Sequence, residues 1–274
     1  MQVSILLATY NSSKYIIEQI HSIQNQTHQD WLLYVRDDGS TDNTTALIQD
    51  LSERDPRIRM IESDHLSLGA AGSFMRLLEL VDAEYYMFCD HDDVWLPQKI
   101  EKSLNKMLEV EMDINIPVVV HTDLEVVDAN LNLITGSYWR AVGIKPKVIK
   151  KLNLIQVFNC VTGCTMLFNR QAKKVSLPYD KLSPMHDWWI AIKTKMNGGV
   201  LAQVNEPLIK YRQHGSNQVG AKKVDRGYYL VKFQKLKSTL EGNREKLKFL
   251  KKIGGIGFLE FTVYKVFYNI IRKF

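Results

Sequence analysis

The absences in this chain exclude several function classes at once. No G-x-G-x-x-G opens the turn after the first apolar run, and no glycine-rich loop ends in Gly-Lys-Ser or Gly-Lys-Thr, so neither a dinucleotide-binding dehydrogenase nor a P-loop enzyme is predicted. Cysteine is scarce: Cys89, Cys160 and Cys164 form no C-x-x-C pair and cannot all pair, which suits packing residues in a reducing compartment. Residues 253 to 271 are apolar but broken by Glu260, Lys265 and three glycines, so a spanning helix is not predicted. The start, Met1-Gln2-Val3, has no basic region before its short apolar run, and no export signal is predicted.

What is present is a chain of 274 residues, 45% of them hydrophobic, enough to bury a substantial core. Its net charge of +6 belongs to one end: residues 222 to 274 hold 14 Lys and Arg against 4 Asp and Glu, and the remainder holds 22 against 26. A slightly acidic body with a cationic tail argues against nucleic acid as a partner and points to an anionic surface, such as a membrane leaflet, met by that tail.

Apolar runs and amphipathic segments alternate. Strands are predicted at 3–8, 31–35, 57–61 and 84–89, each followed by a polar turn and a helix, the helices covering 16–23, 44–51, 73–81 and 97–111. Four such alternations imply a parallel, doubly wound sheet. Beyond it the spacing predicts a strand at 117–122, a turn or hairpin at 123–132, a basic loop at 140–156, a strand at 163–168, a helix from 182 to 196 and a strand at 200–204. Lysines alternate with Leu, Phe and Tyr at helical spacing over 225–250, and 253–271 reads as an interfacial helix or one packed on the chain's own core.

Ligands of such sheets bind beyond the carboxyl ends of the strands. Three polar clusters lie there: Thr9-Tyr10-Asn11, Asp37-Asp38-Gly39, and Asp90-His91-Asp92-Asp93. The last crowds three carboxylates into four residues, which repel one another unless a cation is present. Asp90 and Asp92 could direct oxygens at one Mg²⁺ or Mn²⁺ that also holds a diphosphate; taken alone, the stretch also suits an acidic turn before a helix that Pro97 opens. Tyr10 could stack on a base and Asp38 could accept from an imide N–H. Further on, Asp187 precedes Trp188 and Trp189, as in a site where rings cover a sugar and a base takes a hydroxyl proton. Equally, Asp187 is a charge suited to a helix N-terminus. His214, on a glycine-containing loop, could join the metal ligands.

Taken together, Ala8-Thr9-Tyr10-Asn11, Asp37 to Asp42, Asp90-His91-Asp92-Asp93-Val94-Trp95, His186-Asp187-Trp188-Trp189 and Tyr211 to Asn217 resemble the family 2 glycosyltransferases with the GT-A fold, in the right order over residues 1 to about 220. The last three segments look like bacterial rhamnosyltransferase-type members that build capsule, lipopolysaccharide or cell-wall polysaccharide. The resemblance implies a mostly parallel, Rossmann-like central sheet with helices on both faces, plus a helical C-terminal extension. It implies a nucleotide-sugar-binding half at 1–115, an acceptor-binding half at 116–220 and a basic amphipathic extension at 221–274. The implied reaction is inverting transfer of one sugar from a nucleotide diphosphate donor, dTDP-rhamnose or a UDP-sugar, to a lipid-linked or cell-surface glycan.

In that reading Thr9, Tyr10, Asn11, Asp38, Gly39 and Asp90 hold the donor, and Asp90, Asp92 and His214 hold Mn²⁺ or Mg²⁺, with Asp92 the direct ligand. Asp187 is the general base, and His186, Trp188 and Trp189 meet the sugar acceptor. The chain lacks the Gln-x-x-Arg-Trp element of the processive members. The place implied is cytoplasmic, peripheral on the inner face of the cell membrane, and a homodimer is compatible with it. Rival readings are a sugar-phosphate nucleotidyltransferase, which would want a glycine- and arginine-rich loop after the first strand, and a non-catalytic nucleotide-sugar-binding scaffold in a polysaccharide assembly complex.

Overall fold

The computed structural model describes residues 1–62, 66–214 and 236–272. In chain order the elements are β1 (Val3–Thr9), α1 (Ile16–Gln24), β2 (Trp31–Asp37), α2 (Thr44–Arg54), β3 (Ile58–Met60), α3 (Gly69–Leu80), β4 (Tyr85–Cys89), β5 (Val94–Trp95) and α4 (Lys99–Val110). They continue with β6 (Val118–Val127), β7 (Leu133–Thr135), the short helices α5 (Tyr138–Val142), α6 (Pro146–Ile149) and α7 (Leu152–Ile155), and β8 (Leu167–Asn169) after a 3-10 turn at Gly163–Thr165. Last come α8 (Arg170–Ser176), α9 (His186–Met196), β9 (Val200–Arg212), α10 (Leu236–Lys252) and α11 (Phe258–Ile271).

One sheet runs through the molecule in the order β3-β2-β1-β4-β8-β6-β9-β5, with β7 paired to β6. Strands β1 to β4 are parallel, with Thr9 opposite Asp37 and Leu7 opposite Cys89, so the three polar clusters leave the sheet at one edge. The period-two alternation of β1 decides what covers each face. Val3, Ile5 and Leu7 pack with Ile16, Ile20, Ile48 and Ile100 from α1, α2 and α4, while Leu6 and Ala8 pack with Phe74, Leu78 and Ile190 from α3 and α9. Helices therefore cover both faces, as predicted.

The sheet is mostly parallel, as the resemblance implies; β8 re-enters it from the opposite end and runs antiparallel to both β4 and β6. Two other expectations change. The turn predicted from residue 123 begins later: β6 continues to Val127 beside β9, and the hairpin turn into β7 follows. His121, Thr122 and Asp123 disguise this strand, but all three are buried. Asp123 is satisfied there by the Ser137 hydroxyl at 2.5 Å and the Trp139 N–H at 3.1 Å at the start of α5. The basic loop predicted over 140–156 holds α5, α6 and α7.

The C-terminal helices are part of the body. Phe249, Leu250, Ile256, Phe261 and Tyr268 are buried in the same core as Trp188 and Trp189 of α9. Of the helix predicted over 225–250, residues 225–235 lie outside the described residues, as do Gly215 to Asn217 of the late loop motif.

Candidate active site

A cleft of about 1240 Å³ opens over the carboxyl edge of β1 and β4, walled on one side by the turns after those strands and on the other by α9, the 157–163 segment and Lys246 of α10. Of the residues singled out in the sequence, Thr9, Tyr10, Asn11, Asp38, Asp90, Asp92, His186, Asp187, Trp188 and His214 line it. Gly39 and Trp189 do not. Gly39 occupies a left-handed turn position at φ 93°, with nothing near the place a Cβ would take. Trp189 turns into the core, where its indole N–H donates to the Ser176 carbonyl at 2.6 Å. Each position advances about 100° around the helix, so the face that His186, Asp187 and Trp188 present to the cleft has turned into the core by Trp189. Trp188 reaches it, nearly buried, with the Lys246 ammonium 4.7 Å from its ring.

The first wall is stitched together by local hydrogen bonds. Asn11 takes φ 46°, a left-handed conformation that Asn tolerates, and its side-chain oxygen accepts the Thr41 N–H at 2.8 Å. The Ser12 N–H donates to the Thr44 hydroxyl at 2.8 Å, and the Ser13 N–H to Asp42 at 3.1 Å. The turns after β1 and β2 thus form one platform, from which Tyr10 projects, 53% exposed.

Asp38, read from sequence as an open acceptor for an imide, is already engaged. It accepts from the Arg36 guanidinium at 2.6 Å, the Ser73 hydroxyl at 2.8 Å, and the Leu68 and Gly69 N–H groups at 2.8 Å each. Its burial alone would raise its pKa, but these donors, Leu68 first, outweigh it and hold the carboxyl below its usual range. In this arrangement Asp38 fixes the segment that follows β3 at the rim of the cleft.

The acidic turn after β4 sends its carboxylates to different places. Asp90 is half-buried in the cleft, and loss of hydration, then the Asp92 and Asp187 carboxylates, raise its pKa. Asp92 Oδ2 lies 2.7 Å from His214 Nε2, so β4 and the end of β9 meet here. Asp93 points beneath the turn and is fully buried; it accepts the Arg212 N–H at 3.1 Å and lies beside the Cys164 thiol. Below it Lys99 is buried with its ammonium 3.6 Å from the Trp95 ring, and burial lowers its pKa to about 7.

Ligand atoms of Asp90, Asp93 and Cys164 lie within 4.8 Å of one another, which differs from the Asp90, Asp92 and His214 set drawn from the sequence. The two sets differ in chemistry. Asp93 and Cys164 are sealed in the core, and a thiol suits a softer cation. Asp90, Asp92 and His214 all line the cleft, where the two carboxylates offer oxygen ligands of the kind Mg²⁺ or Mn²⁺ takes and His214 offers a nitrogen.

The opposite wall centres on the start of α9. Asp187 is buried; its carboxylate accepts the Gly163 N–H at 3.0 Å and the Trp188 N–H at 2.5 Å. Burial outweighs these bonds and raises its pKa to about 6. His186 stacks on Phe74 at 4.6 Å and meets Phe88 edge-on at 5.0 Å. Burial lowers its pKa to about 3, so the ring is neutral, and neither ring nitrogen has a hydrogen-bond partner.

Two contributors escaped the sequence reading. Gly163, read as the start of a strand, lies so close to His186 that an added Cβ would stand 2.9 Å from Nε2. Arg212 is buried at the end of β9, donates to the Asp92 carbonyl at 2.8 Å and the Ala129 carbonyl at 2.8 Å, and pairs with Glu18. It holds the backbone of the acidic turn against α1. Its place in the Tyr211-Arg212-Gln213-His214 run was the available signal, but a buried arginine is not visible as such in a sequence.

Comparison with known proteins shows the fold and the family. The chain is 28% identical over 193 residues to an Escherichia coli protein named UDP-Glc:alpha-D-GlcNAc-diphosphoundecaprenol beta-1,3-glucosyltransferase WfgD, covering 70% of each chain. It is 28% identical over 230 residues to the Shigella flexneri dTDP-rhamnosyl transferase RfbG, covering 78% of this chain and 74% of that one. A match to Bacillus subtilis TuaG, at 36% identity, spans only 42% of that relative. Among solved structures, S. aureus TarS 1-349 in complex with UDP-GlcNAc superposes with a TM-score of 0.60 at 18% identity, over 79% of this chain and 60% of that one. The shared architecture is the GT-A fold. The Glycosyl transferase family 2 pattern matches residues 4–175, from the first strand through the acidic turn to α8, and the chain belongs to that family.

Proposed function

We propose that the chain transfers a single sugar, with inversion, from a nucleotide diphosphate donor to a lipid-linked or cell-surface glycan. One observation carries the reading: Asp90, Asp92 and the buried Asp187 face one cleft, near enough that Asp187 helps raise the pKa of Asp90. Residues 1–115 would take the donor, with Thr9, Asn11 and Asp90 near it and Tyr10 under the base. Residues 116–220 would take the acceptor.

Asp90, Asp92 and His214 would hold Mn²⁺ or Mg²⁺, which when bound supplies Lewis-acid stabilisation of the leaving diphosphate. A structural neighbour, a mannosyltransferase of Pyrobaculum calidifontis, is in complex with GDP-Man and Mn²⁺. Asp187 would accept the proton of the acceptor hydroxyl as that oxygen bonds to the anomeric carbon, opposite the breaking bond to the diphosphate oxygen. Burial suits it to this role, since the Gly163 and Trp188 N–H groups orient it while a pKa near 6 makes it a stronger base than an exposed aspartate. His186, neutral and with both ring nitrogens buried, would shape the acceptor side of the cleft rather than move a proton.

The relatives' names favour dTDP-rhamnose or a UDP-sugar as donor and an acceptor carried on a lipid diphosphate. The test is nucleotide release from a panel of UDP-, dTDP- and GDP-sugars with Mn²⁺ or Mg²⁺, repeated with EDTA. Metal-dependent release from one donor supports the reading. No release and no metal-dependent nucleotide binding would leave a scaffold.

A further inference from the structure

Helix α11 is apolar on two opposite sides. Phe261 and Tyr268 are buried against the body, yet Phe258, Leu259, Val263, Val266, Phe267 and Ile270 are between 48 and 75% exposed. Leu259, Val263, Val266 and Ile270 follow at helical spacing, so they form one continuous stripe turned away from Phe261 and Tyr268. Scattered surface apolar residues need no explanation, but a contiguous stripe does.

We propose that this stripe seats the protein on an anionic membrane leaflet. Charge complementarity selects that occupant. Helix α10, tied to α11 by the Lys265 to Asn243 hydrogen bond, exposes Arg244, Lys248 and Lys251, and the last 53 residues carry 14 Lys and Arg against 4 Asp and Glu. Insertion across the bilayer is not the geometry: among the described residues no helix is long and apolar enough to cross a membrane. A helix of 14 residues is about 21 Å long, against a hydrocarbon core of about 30 Å. It would lie in the interface, apolar side down and cations at the headgroups.

Helix α11 adjoins the acceptor side of the cleft by its buried face, opposite the stripe and one helix width behind it. Phe158, which lines the cleft, packs on Tyr268 at 4.4 Å, and Lys246 of α10 lines the cleft directly. Docking would therefore bring that end of the cleft near the membrane, where a lipid-linked acceptor resides; this consequence, unlike the docking itself, rests on the proposed transfer.

Truncation is a poor test, because deleting α11 would uncover the core beneath Phe261 and Tyr268. The full chain is instead compared with the quadruple variant Leu259→Gln, Val263→Gln, Val266→Gln, Ile270→Gln, all at exposed positions. Binding is read by co-sedimentation with vesicles of phosphatidylcholine, alone or mixed with phosphatidylglycerol. The wild-type chain is expected to pellet with the anionic vesicles and to release as salt rises, and the variant to bind about tenfold or more weakly. Nucleotide release from the donor should be equal in both, which separates failure of the surface from failure of the transfer reading. A wild-type chain that stays in the supernatant overturns the proposal. So does a dimer by light scattering that the variant converts to monomer, since a second copy would then cover the stripe.

Discussion

The two walls of the cleft are built by different means. The wall of β1, β2 and β4 is a set of short turns tied to one another by backbone N–H groups and small polar side chains, as in Asn11 to Thr41 and Ser12 to Thr44. The facing wall is made by long-range packing, with Phe74 under His186 and Gly163 bonded to Asp187. Within the first wall the turns after β1 and β2 are hydrogen-bonded to each other before a ligand arrives, while the acidic turn after β4 keeps Asp90 a weak acid. In the second, His186 has two buried nitrogens with no partner, and Asp187 is kept a weaker acid than usual. Cohesion is concentrated in the turns after β1 and β2, and the perturbed groups face each other across the cleft from the acidic turn and the start of α9, which suits a platform that binds beside carboxylates that react.

If that division is right, changes on the second wall should damage turnover more than donor binding. The largest effect is expected of Asp187→Asn, which should lower turnover by about 10²- to 10⁴-fold, the usual range for a general base. The ionised form of Asp187 is the base, so wild-type turnover should fall as pH drops through about 6, and the variant should lack that limb. Turnover measured against pH in both proteins checks this; unchanged turnover in the variant would remove Asp187 from the reaction.

A smaller loss, about ten- to a hundredfold in turnover, is expected of Gly163→Ala, whose Cβ would press on His186 Nε2 from 2.9 Å and displace the Asp187 pair. Nucleotide affinity, measured by calorimetry, should not change. Equal loss of both would mean that the walls are not independent. The smallest effect belongs to the first wall: Tyr10→Ala, on an exposed ring, should raise the donor KM by about five- to tenfold, the low end for one lost stacking contact, and leave turnover at saturating donor unchanged.

The same contrast explains what the sequence made legible. Strand, polar turn and helix recur within some 30 residues, so β1 to β4 and their turns can be read from periodicity and turn chemistry. Asp38 shows the limit even there, for its partners at Leu68, Gly69 and Ser73 lie about 30 residues away and their bonds cannot be counted from spacing. The other wall depends on contacts between distant segments. Nothing local marks Gly163 as the partner of Asp187, Arg212 as the tie between Asp92 and α1, or Trp189 as core while Trp188 reaches the cleft. The far end of β6 is hidden for a related reason: Asp123 has the composition of a turn residue, and its partners Ser137 and Trp139 lie 14 and 16 residues on.

The central claim is that one cleft binds a nucleotide diphosphate through the acidic turn and reacts through Asp187. Donor-nucleotide binding by wild type, Asp92→Asn and Asp187→Asn, with and without Mn²⁺, tests it most directly. Metal-dependent binding is expected in wild type and Asp187→Asn, and its loss in Asp92→Asn. Metal-dependent binding that survives in Asp92→Asn, or disappears in Asp187→Asn, would contradict it.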